Sequence, residues 1–120
     1  MGYQFNNNIP IYIQIIESIK SDIVRGKYTC GEKLPSVREL SVIFGANPNT
    51  VQKSLAELES IGLITTDRTN GKFVTKDVGK IDEIRRLNVK KVVDEFVANL
   101  QSLGVKKEEI TDIVKQECDL

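Results

Sequence analysis

The stretch that decides the fold reads Glu32-Lys33-Leu34-Pro35-Ser36-Val37-Arg38-Glu39-Leu40, then Phe44-Gly45-Ala46-Asn47-Pro48-Asn49-Thr50-Val51, then Leu63-Ile64-Thr65-Thr66-Asp67-Arg68-Thr69-Asn70-Gly71-Lys72-Phe73-Val74. Pro35 pushes Leu34 out of helical geometry. Ser36 followed three residues later by Glu39 has the spacing of a capping box, in which hydroxyl and carboxylate each satisfy a backbone N–H of the other. Val37, Leu40 and either Ile43 or Phe44 give the helix an inner face, and Gly45 stops it. Asn47 is suited to capping the next helix and Pro48 to its first position. Val51, Leu55 and Leu58 face inward as far as Gly62, and Leu63 can pack back on Leu58. Leu63–Thr66 and Lys72–Thr75 are β-prone, with a turn at Asn70-Gly71. So small a hairpin is not stable alone and must lean on the helices before it.

Upstream, Tyr12, Ile15, Ile16, Ile19, Ile23 and Val24 recur at helical spacing between Pro10 and Gly26, which predicts one buried stripe. Ile11 and Ile13 fall off that stripe and suggest a second apolar surface. Residues 1–8 are polar and expected to be loose, and Lys27–Leu34 reads as an extended connector. Two short capped helices joined by a tight turn and followed by a hairpin make a winged helix-turn-helix, which places one helix in the major groove of DNA. The expected class is mainly α with a small β-hairpin. Residues 1–77 form the DNA-binding domain and 78–120 a helical tail.

In the tail, Val89, Val93, Phe96, Leu100 and Leu103 step by four, three, four and three, a heptad-like seam. Gly104 ends that helix, and Ile110, Ile113 and Val114 mark a shorter one. Two helices of this size cannot bury a core of their own. The expectation is a helical hairpin that covers its seam with a second copy. Burial of about 1.5–3 kcal/mol per seam residue leaves enough for a homodimer after association costs.

Composition narrows the function classes. There is no histidine, and Cys30 and Cys118 lie far apart, so no triad, zinc site or cofactor-binding set can be assembled. No nucleophile, base or metal cluster supports an enzyme. The chain has no apolar run long enough to span a membrane, and its first residues lack the layout of a signal peptide, so a cytoplasmic protein without a membrane partner is expected. The 17 Lys/Arg balance 17 Asp/Glu. Bulk charge therefore neither favours nor opposes nucleic acid; placement on one face decides.

On a groove-bound second helix, Asn49, Thr50, Gln52 and Lys53 point outward. Asn and Gln suit adenine, and Thr suits a thymine methyl or a phosphate. Arg38 can reach a phosphate or a guanine, and Ser36 with nearby N–H groups can hold a phosphate. Arg68, Thr69, Asn70, Gly71 and Lys72 form a wing that enters or straddles the minor groove. Each has a bland alternative: Ser36 as a cap, Asn49 and Thr50 as first-turn residues, Arg38 paired with Glu39 or Glu57, Lys53 and Lys72 as solvated charges.

These motifs resemble the N-terminal domain of the GntR family of bacterial transcription regulators over residues 9–77. The resemblance implies operator contacts by Arg38, Thr50 and the wing. Pro48 and Gln52 stand where some relatives carry DNA-binding arginines, so base preference does not carry over, and Thr69 replaces a common glycine. The short two-helix tail is similar to the YtrA-type subfamily, which implies a dimeric repressor of an operon encoding an ABC-type transporter. Two other readings stay open. One is a winged-helix module for protein interaction. The other is a metabolite sensor with a small pocket between tail and DNA-binding domain; no residue identifies its effector.

Overall fold

The computed structural model describes residues 3–119. Met1, Gly2 and Leu120, and so the outer limits of the two expected domains and the looseness expected of the first two residues, lie outside the described residues. The order is α1 (Ile11–Val24), α2 (Val37–Phe44), α3 (Pro48–Ser60), β1 (Ile64–Asp67), β2 (Gly71–Val74), α4 (Val78–Ser102) and α5 (Lys107–Glu117). The fold is a winged helix-turn-helix followed by two helices.

The chain divides into a unit ending at Ile84 and a unit beginning at Arg85, later than the 77/78 boundary expected from the sequence. Ile81 and Ile84, in the opening turns of α4, are buried in the same cluster as Ile15, Leu55 and Leu63. Asp77 starts that helix: its carboxylate accepts the Lys80 N–H at 3.1 Å, while its own N–H donates to the Thr75 hydroxyl at 3.1 Å.

The core of the first unit follows the apolar periodicity. Ile15, Ile19 and Ile23 of α1, Leu40 and Phe44 of α2, and Val51, Leu55 and Leu58 of α3 are buried, closed by Leu63, Ile64 and Val74 from the hairpin. Phe44 rather than Ile43 takes the inner position on α2; Ile43 stays exposed. Ser54 is fully buried in α3, and its hydroxyl satisfies itself on the Tyr12 carbonyl at 2.9 Å and the Thr50 carbonyl at 3.1 Å. That bond ties the first turn of α1 to the middle of α3.

The described N-terminal residues are not loose. Tyr3 and Phe5 pack on each other and on Phe44, with ring centroids 4.7 Å apart for Tyr3–Phe5 and 5.2 Å for Tyr3–Phe44. The Gln14 amide donates to the carbonyls of Asn6 and Ile9 and accepts the Asn6 N–H. Two aromatics in a polar run carry no periodicity, so their docking was not legible as a pattern.

The hairpin is antiparallel, with Ile64 opposite Val74 and Asp67 opposite Gly71. Its strands lie one residue nearer the turn than the β-prone runs suggested. The connector before α2 also joins the sheet: the Leu34 N–H donates to the Lys72 carbonyl at 2.9 Å, and the Val74 N–H to the Glu32 carbonyl at 2.8 Å. β2 is therefore flanked on both sides.

In the second unit the Val105 N–H returns to the Leu100 carbonyl at 3.1 Å, closing α4 before α5 begins. Ile110, Ile113 and Val114 are half-buried, as are Val97 and Leu100. Val89, Val93 and Phe96 are exposed, as are Val92 at 64% and Leu103 at 78%. No described residue beyond Ile84 is buried.

Two substitutions separate the forces that hold the first unit. Leu55→Ala empties a fully buried site and is expected to cost about 2–5 kcal/mol. Ser36→Ala removes only a cap and is expected to cost about 0.5–2 kcal/mol. Urea unfolding followed by circular dichroism checks both.

Candidate nucleic-acid interface

Between α2 and α3 the chain reverses at Gly45, whose φ of 64° and ψ of 38° are left-handed. A side chain there would be strained, which is why glycine ends α2. Asn47 then caps α3, its side-chain oxygen accepting the Asn49 N–H at 2.8 Å, with Pro48 at the first helical position. Burial of Val51, Ser54, Leu55 and Leu58 fixes the rotation of α3. The opposite face must then look outward. Asn49, Gln52 and Lys53 are exposed there, while Thr50 is half-buried.

α2 starts with the expected capping box. The Ser36 hydroxyl oxygen accepts the Glu39 N–H at 3.1 Å, and the Ser36 N–H donates to the Glu39 carboxylate at 3.0 Å. Arg38 lies exposed beside this cap. Among the described residues it makes no ion pair with Glu39 or Glu57.

The wing tip is organised by Asp67, a residue the sequence marked only as part of a turn. Its carboxylate accepts the backbone N–H groups of Thr69 at 2.9 Å and Asn70 at 3.2 Å, and the Asn70 side-chain amide at 3.2 Å. Arg68, Thr69 and Asn70 are thereby presented on an exposed three-residue loop. Gly71 opens β2 with a φ of 106°, and a Cβ there would lie 3.4 Å from Lys33 Cε. The flexible end of Lys33 would accommodate such a contact, so it is the backbone conformation that favours glycine.

The two lysines of the expected interface differ. Lys72 turns toward the protein: its ammonium is 2.8 Å from the Thr66 hydroxyl and 3.6 Å from the Glu59 carboxylate, and its side chain is 17% exposed. Lys53 lies 3.8 Å from the centre of the Tyr12 ring. Neither Glu59 nor Tyr12 was legible as a partner, because both contacts join segments distant in sequence. A cleft of about 560 Å³ on the wing side of this unit is lined by Gly31, Thr65, Phe73, Lys76 and Asp77 among others. Ile11 and Ile13, which suggested a second apolar surface, take no part in it and remain exposed.

Residues 11–74 match the bacterial regulatory proteins of the gntR family. The chain belongs to that family. Over its length this gntR-family regulator is similar to the uncharacterized HTH-type transcriptional regulator YhcF of Bacillus subtilis, at 36% identity over 96% of this chain and 95% of that protein. It is also similar to the HTH-type transcriptional repressor YtrA of the same organism, at 35% identity over 92% and 85%. Among solved structures, a GntR family transcriptional regulator from Listeria monocytogenes has a TM-score of 0.87 at 39% identity, over 93% of this chain and 98% of that one. The DNA-binding domain of AraR in complex with operator ORE1 has a TM-score of 0.55 at 35% identity, over 62% and 89%. The gntR-family chain is accordingly a DNA-binding transcription regulator of the winged helix-turn-helix type, and not an enzyme. These likenesses fit the YtrA-type subfamily.

Two carboxylates tie this interface to pH. Hydrogen bonding from the Ser36 N–H, then the Ser36 hydroxyl, holds Glu39 below the ordinary carboxylate range, helped by the Lys33 charge. The Thr69 N–H, then the Asn70 side chain and N–H, do the same for Asp67. Groups depressed in the folded chain contribute stability that is fully present above the ordinary carboxylate pKa and is lost as pH falls through the depressed values. Unfolding free energy measured between pH 6 and pH 3 should therefore fall on acidification. The double variant Glu39→Gln, Asp67→Asn should fall less steeply.

Proposed function

We propose that this regulator is a homodimeric repressor whose two α3 helices read an inverted-repeat operator. The observation that carries the dimer is the absence of buried residues among those described beyond Ile84, together with the exposed apolar face formed by Val89, Val92, Val93, Phe96 and Leu103. Helices left in that condition lack a core of their own, and a second copy of the same face supplies one. Leu100, Ile110, Ile113 and Val114, half-buried, complete the dimerisation surface of the two tail helices. The sign of regulation is supported by the likeness to YtrA, a named repressor. Repression follows from occupying the site that polymerase needs. The subfamily resemblance points to a transporter operon. Work on DNA places the protein in the cytoplasm, and no described helix is long and apolar enough to cross a membrane.

In this reading Asn49, Thr50 and Gln52 meet base edges from the first turn of α3. Arg38 reaches a guanine or a phosphate, and the start of α2 at Ser36 meets a phosphate through its backbone N–H groups. Arg68, Thr69, Asn70 and Gly71 approach the minor groove, with Lys72 bracing the wing from behind.

Selection of bound sequences from a random duplex pool should return inverted repeats. Single half-sites or no enrichment would count against the proposal. Phe96→Glu should shift the protein to monomer in light scattering and cost operator affinity more than half-site affinity. Arg38→Ala should weaken the selected operator by about 1–3 kcal/mol and relax preference at one position, if it reads a base.

A further inference from the structure

We infer that Tyr12 is a positioning residue, holding the Lys53 ammonium for a DNA phosphate and keeping it out of the set of base-reading side chains. The inference rests on the DNA-binding reading above and goes beyond it. Tyr12 belongs to α1, outside the helix-turn-helix, and it is fastened to α3 at the residue next to Lys53. The buried Ser54 hydroxyl donates to the Tyr12 carbonyl at 2.9 Å, and the Lys53 ammonium lies 3.8 Å from the Tyr12 ring centre. A lysine on an exposed helix face normally samples many rotamers, and that freedom is lost when it makes a contact. Here the half-buried ring restricts the search before DNA arrives.

The kind of partner matters as much as the distance. A ring face attracts a cation through its quadrupole and leaves the net positive charge intact. A carboxylate cancels it. Lys72, set against Glu59 and Thr66, illustrates the second case within the same interface. Lys53 keeps a held, uncompensated charge one turn beyond Asn49, while the opening turn of α3 is the part that meets base edges. A fixed ammonium in that position suits a backbone oxygen, whose recognition needs charge and place but no donor–acceptor pattern.

The test compares the salt dependence of binding to the selected operator and to a scrambled duplex. Each phosphate contact contributes a slope of about 0.9 in log K against log salt. Lys53→Met and Tyr12→Leu should each flatten the slope by about that amount per bound subunit, and weaken both duplexes by the same factor. The double variant should be no flatter than either single one. Tyr12→Phe keeps the ring and should keep the wild-type slope. A wild-type slope for Tyr12→Leu beside a flattened one for Lys53→Met overturns the positioning role. Loss confined to the operator, with the slope intact, overturns the phosphate role. Because Tyr12→Leu could also disturb packing, the contact is read separately by NMR. The Lys53 side-chain protons next to the ammonium should be shifted upfield by the ring in wild type and Tyr12→Phe, and should relax in Tyr12→Leu. No upfield shift in wild type overturns the contact itself. Should wild type show no preference for duplex DNA, the DNA-binding reading falls first, and the phosphate role with it.

Discussion

Everything at the interface depends on how α3 is anchored. Val51, Ser54, Leu55 and Leu58 lie along one stripe and are fully buried. A helix is stiff, so fixing one stripe fixes the direction of all the others. Asn49, Gln52 and Lys53 look outward because the other side of the helix has no freedom to rotate. The polar member of the stripe sharpens the effect. The Ser54 hydroxyl bonds the Tyr12 carbonyl as well as the Thr50 carbonyl of its own helix, and the first of these pins α3 to α1 at one point.

Much of this could be read from the chain alone, and the reasons are local. The capping box at Ser36 and Glu39, the Asn47-Pro48 start of α3 and the stop at Gly45 are signals that act within four residues, and each element begins or ends beside them. Other features formed across long separations. The Lys53–Tyr12 contact, the Lys72–Glu59 pair and the docking of Tyr3 and Phe5 on Phe44 join residues whose spacing follows no period. The hairpin register fell between the two cases. Asn70-Gly71 marked a turn, but the Asp67 carboxylate recruits three donors and makes the loop Arg68–Asn70, which moves Gly71 into the strand.

The balance of 17 basic and 17 acidic residues is compatible with DNA binding because the charges are sorted by neighbours rather than by number. Glu39 is occupied by its own helix cap and Asp67 by its own turn, so these two acids already spend lone pairs on backbone donors. Arg38 and Arg68 remain exposed. The tail differs in kind: Val89, Val92, Val93, Phe96 and Leu103 are apolar side chains that stand exposed.

The strand-like pairing of Glu32 and Leu34 with β2 has a mechanical meaning. Leu34 leads directly into Pro35 and the Ser36 cap, and its N–H holds the Lys72 carbonyl. A tug on the wing tip is thus passed through one short, hydrogen-bonded segment to the start of the helix that carries Arg38. In the proposed DNA-bound arrangement, this segment ties the placement of the wing to the placement of the helix that carries Arg38.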